Sequence, residues 1–83
     1  MMNVNEAYAF VRRLKAAAQK HGRTELVEQL DDALHLGSSG LEILGAIRNI
    51  VADNREIIFT LMGPSSRSEV EEIITFADKM YGH

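Results

Sequence analysis

The side chains able to do chemistry are few, and their spacing argues against catalysis. His21, His35 and His83 are the three histidines, and there is no cysteine. No two histidines stand four apart on a helical face, and thiolates are absent, so the ligand set for a tetrahedral metal site is missing. Ser38, Ser39, Ser65, Ser66 and Ser68 gather where helices are expected to begin. There a hydroxyl caps free backbone N–H groups, which accounts for them without a nucleophilic role. Paired carboxylates could serve as general acid and base, but no pair is singled out by its surroundings. A chain of 83 residues also leaves little room for a sizeable pocket. No catalytic residue, metal site or cofactor is expected, and the chain does not read as an enzyme.

The carboxylates carry a different signal. Glu69, Glu71 and Glu72 fall in the first turns of an expected helix, where the helix dipole favours anions by roughly 0.3–1 kcal/mol each. Asp31 and Asp32 have no such account. They stand near the end of an expected helix, against its negative pole, in "EQLDDALHLGSSG". Glu28 precedes them by three and four residues, so both helical pairings are like-charged and cost a few tenths of a kcal/mol. His35 is a weak compensator near neutral pH. Either a cation from another helix, with the first helix the candidate, neutralises the two aspartates, or they face solvent and await a basic partner.

Four amphipathic segments must position these groups. The first opens at Asn3, which has capping-box spacing to Glu6. It carries Ala7, Phe10, Val11, Leu14, Ala17 and Ala18 at helical spacing and ends at Gly22, a C′ glycine. The second begins at the capping residue Thr24, carries Leu26, Val27, Leu30, Ala33 and Leu34, and stops at Gly37. The third is capped by Ser39 with Glu42. Its apolar positions Ile43, Ile47, Ile50, Ile57 and Leu61 hold one phase through Asn54, which favours a single helix to Met62. Asp53 and Asn54 are weak helix formers, so a break there is the alternative, and Asn54 on the seam needs a partner for its amide. "GPSS" ends that helix. The last begins at Ser66 or Ser68, carries Val70, Ile73, Ile74, Ala77, Met80 and Tyr81, and ends at Gly82. No segment alternates with period two. The reading is a single all-α domain over residues 1–83, a compact antiparallel bundle of four helices, or five if the third breaks at Asp53–Asn54.

Apolar content of 46% and charged content of 25% suit a soluble globular domain. The apolar runs are far too short for a membrane span, and "MMNVNEAYAF" lacks the cationic start of a secretory signal, so a cytoplasmic location is expected. The first helix is basic, with Arg12, Arg13, Lys15 and Lys20 and with Arg23 just beyond, whereas the second has only anions. A match between these two surfaces is favoured over a membrane contact. The net charge of −3 argues against nucleic-acid binding. Read as helix-turn-helix, "GRTELVEQLDDALHLGSSGLEILGAIRNI" would offer Arg48 and Arg55 offset by Glu42 and Asp53, too little cation for a phosphate backbone.

The stretch "LDDALHLGSSGLEILGAIRNIV" resembles a family of short all-helical bacterial proteins, on Ala33, Leu34, Gly37, Ser38, Gly40, Glu42, Ile43, Leu44 and Arg48. Ser39 replaces the usual threonine, Ile47 a common leucine, and Asn49 a common aromatic. The match covers about twenty-five residues and marks a helix–turn–helix angle rather than a reactive centre. The resemblance implies an immunity protein of a polymorphic or contact-dependent growth-inhibition toxin, many of which are nucleases. On that implication the partner is a cognate toxin with a basic domain. Glu25, Glu28, Asp31 and Asp32 are then the contact face, and Glu69, Glu71 and Glu72 a second candidate. The competing expectation is a homodimeric interaction module anchored by surplus apolar side chains such as Phe59, Met62 or Phe76.

Overall fold

In a computed structural model of the chain, residues 2–35 and 40–80 are described. They form five helices and no strand: α1 (Val4–Lys20), α2 (Thr24–Leu34), α3 (Gly40–Asp53), α4 (Arg55–Met62) and α5 (Ser66–Met80). The stop at Gly37, the Ser39–Glu42 cap and the terminal Tyr81 and Gly82 lie outside the described residues.

Local chemistry sets the ends of α1. Asn3 Oδ1 accepts from the Glu6 N–H at 2.9 Å, as the capping spacing requires. At the other end Gly22 takes φ +70°. The Arg23 N–H then reaches the Ala18 carbonyl at 2.8 Å, and the Gly22 N–H reaches that of Gln19 at 3.2 Å. This pair of bonds is the Schellman closure, and it satisfies carbonyls the helix leaves free. The expected cap at Thr24 is corrected: Thr24 is already helical, Arg23 occupies the cap position, and no side chain caps α2.

The third expected helix is two. A straight helix from Gly40 to Met62 would span roughly 35 Å, about the longest dimension of the whole molecule, 34 Å. Ending α3 at Asp53 lets α4 pack on α1 and α5. Asn54 makes the break: its φ of −119° and ψ of 24° leave the helical well, and its Nδ2 donates to the Ile50 carbonyl at 2.7 Å. Such a side-chain bond to the i−4 carbonyl competes with the helical ladder and bends it. It also supplies the partner that the half-buried amide needs.

The buried stripe of α3 and α4 is also turned from the expected one. Leu44, Ile47, Val51 and Ile58 are buried, while Ile43, Ile50, Ile57 and Leu61 are half-buried. Packing on both α2 and α5 gives α3 a wide apolar arc rather than one seam. With Phe10, Leu14, Leu30 and Ile73 these residues form a single core. The radius of gyration, 11.8 Å, matches the roughly 12 Å of a compact chain this long.

α4 closes at Gly63, φ +88°, and α5 follows Pro64. Ser66 is buried and donates its hydroxyl to the Gly63 carbonyl at 2.6 Å. Its hydroxyl thus braces the turn, where a cap would have accepted from Glu69.

Candidate protein-interaction face

α2 buries Leu26, Leu30 and Ala33 against α1 and α3. That orientation fixes its other residues. Glu25, Glu28, Gln29 and Asp32 recur at intervals of three and four, so they share one helical face, and all are exposed. Among the described residues none of these three carboxylates has an ion-pair partner.

Asp31 lies one helical step round, half-buried toward α1, with Lys15 Nζ against its Oδ1. The two explanations left open for the aspartate pair therefore divide between them: Asp31 has its cation from the first helix, and Asp32 faces solvent. His35 is engaged elsewhere. Its Nδ1 lies 2.7 Å from the Asp31 carbonyl oxygen. A carbonyl can only accept, so the proton sits on Nδ1. The Asp31 carbonyl, which also accepts the His35 backbone N–H at 3.1 Å, thus holds the ring, and the Asp32 carboxylate is left without an ion-pair partner among the described residues.

The second acidic group is not a face. Glu69 turns to α1, where Arg13 grips it with Nη2–Oε2 at 2.5 Å and Nη1–Oε1 at 3.5 Å. Glu71 meets Arg55 of α4 at 3.4 Å. Only Glu72 points outward without a partner among the described residues. Both bridges are largely solvated, with side chains 36–55% exposed, so each contributes about 0–1 kcal/mol.

Like these two bridges, the remaining ion pair among the described residues has no counterpart in the sequence analysis. Arg48 Nε donates to Asp78 Oδ1 at 3.1 Å, joining α3 to α5, and its Nη1 reaches Asn49 Oδ1 at 3.4 Å. The arginine of the motif thus braces two helices. Its signal in sequence is only positional: each member sits beside a buried residue, Ile47 or Ala77, at the margin of an apolar stripe.

Among the described residues no group of three or more histidines, aspartates or glutamates could hold a metal ion, and no helix is long and apolar enough to cross a membrane. What the α2 face can offer is a row of hydrogen-bond acceptors bearing three negative charges on a rigid backbone. No family model matches the chain, and neither a curated protein nor a solved structure shows significant similarity to it.

Proposed function

We propose that the chain is an immunity protein that binds a cognate toxin with a basic domain, most simply a nuclease, and blocks it through the acidic face of α2. The observation that supports this reading is the unpaired row Glu25, Glu28 and Asp32. A nuclease cleft is cationic because it binds phosphates. Carboxylates at successive helical turns stand about 5 Å apart along the axis, a spacing that lets a row of them answer such a cleft. Opposite potentials also accelerate encounter. The resemblance of residues 33–48 to immunity proteins points the same way. Asp31, Glu69 and Glu71 recede from the contact set, since each already has a cation within the molecule.

Co-expression with the product of the neighbouring upstream gene tests the reading. The expected result is a co-purifying complex with a basic C-terminal domain whose toxicity the chain suppresses. Replacing Glu25, Glu28 and Asp32 by their amides should weaken that complex at least tenfold and flatten its salt dependence. A triple variant that protects cells as well as the parent refutes the α2 face.

A further inference from the structure

α5 carries a second unpartnered surface, on the side opposite its buried residues Val70, Ile73 and Ala77. A broad open channel of about 870 Å³ runs along it, with Met2, Pro64, Thr75 and Phe76 among its mostly apolar walls and with Glu72 and Lys79 also lining it. Four charged residues line this channel. Arg67 is engaged inside the molecule, its guanidinium 5.0 Å from the Phe59 ring centroid, and Glu71 is held by Arg55. Glu72 and Lys79 have no ion-pair partner among the described residues.

Their spacing excludes an internal pairing. Seven residues along a helix is about 10.5 Å, beyond direct contact, yet two full turns return both side chains to the same face. Between them lie exposed Thr75 and half-buried Phe76. The stripe reads anion, small residue, aromatic, cation. A two-fold axis between residues 75 and 76 sets each residue opposite its complement: Glu72 opposite Lys79 of the second copy, Lys79 opposite its Glu72, and Thr75 opposite its Phe76. The helix dipole alone suits Lys79 in the last turn, but it does not account for an unpaired opposite charge two turns earlier on the same face, with Thr75 and Phe76 between them.

The geometry points to a homodimer in which α5 packs antiparallel on α5 of a second copy of this chain, with reciprocal Glu72–Lys79 pairs bracketing a Thr75–Phe76 centre. An interface of this kind is isologous and closes on itself. Helices packed 8–10 Å apart bring both pairs within side-chain reach. α5 is only about 22 Å long, so the contact falls at the small end of specific interfaces. The dimer is accordingly weak, with a Kd on the order of tens of micromolar. It uses α5 alone and does not depend on the α2 reading.

Charge exchange at the two positions gives a test that a nonspecific apolar contact would fail. Sedimentation velocity from about 1 µM to about 1 mM should show the parent passing from monomer to dimer. Glu72→Lys and Lys79→Glu each create two like-charged contacts across the axis, and each alone should dimerise at least tenfold more weakly. Mixed one to one, the two variants should form a heterodimer of parental strength, because every contact is again of opposite sign. The double variant E72K/K79E should also recover the dimer. Both positions are exposed, so thermal melts should confirm intact folding. A parent that stays monomeric at about 1 mM overturns the proposal and leaves the channel to a partner of another sequence. Single variants that dimerise like the parent, or a mixture that fails to pair, overturn it equally.

Discussion

Asp32→Asn should stabilise the protein, because the carboxylate stands where both its helix and its neighbours disfavour a negative charge. Asp32 lies in the last turn of α2, where no basic residue stands. It is exposed, has no ion-pair partner among the described residues, and follows Glu28 by one turn. Removing its charge relieves an i,i+4 repulsion of about 0.2–0.5 kcal/mol and an unfavourable dipole contact of about 0.3–1 kcal/mol. Because solvent screens this site, the lower part of each range applies, giving roughly 0.5–1 kcal/mol in total. Asparagine and aspartate have similar helix propensity, so nothing offsets the gain. For a domain this small, the rise in Tm should be about 2–8 °C, shrinking in about 0.5 M salt. The neighbouring Asp31→Asn should do the opposite, losing the Lys15 contact and at most about 1 kcal/mol. Calorimetry on the two variants at low and high salt separates the cases. A lowered Tm for Asp32→Asn would refute the argument, because it would mean the carboxylate is already compensated within the fold. A raised Tm together with weakened toxin binding would identify Asp32 as a residue retained at a cost to stability for the sake of contact.

Two further outcomes concern the core and the break. Leu30→Ala removes a side chain with no solvent exposure and should cost about 2–5 kcal/mol in urea unfolding, enough to unfold much of a marginal domain. Asn54→Asp is nearly isosteric but loses the donor to the Ile50 carbonyl and sets an anion against that oxygen, while the opposed dipoles of the α3 C-terminus and the α4 N-terminus largely cancel at this position. A loss of about 1–3 kcal/mol is expected, whereas an unchanged urea midpoint would mean that the side-chain bond does not hold the bend.

The parts of this fold that sequence reveals are those decided within a few residues. Asn3 with Glu6, and Gly22 with its positive φ, are local chemistry, and both ends of α1 follow from them. The break at Asn54 was visible only as a choice, because apolar spacing keeps its phase across the bend. Asn54 makes the bend, but what selects it over a continuous helix is the packing of α4 on α1 and α5, a property of the whole chain. Leu44 and Val51 displace Ile43 and Ile50 from the centre of the core for a related reason: the arc that α3 buries depends on two neighbours, not one. The acidic face was half legible. Spacing puts Glu25, Glu28 and Asp32 together, but whether Lys15 meets Asp31 or Asp32 depends on how α1 and α2 are rotated against each other, which neither helix encodes alone. The Arg48–Asp78 pair joins positions thirty residues apart that no local pattern connects.

α2 commits only Leu26, Leu30 and Ala33 of its eleven residues to full burial, so its outer surface can change identity almost independently of the interior. Substitutions at 25, 28, 29 and 32 alter what a neighbouring molecule meets while the scaffold beneath keeps its shape. A lineage under pressure to track a changing opponent could therefore rewrite recognition one turn at a time, with each trial leaving a folded protein.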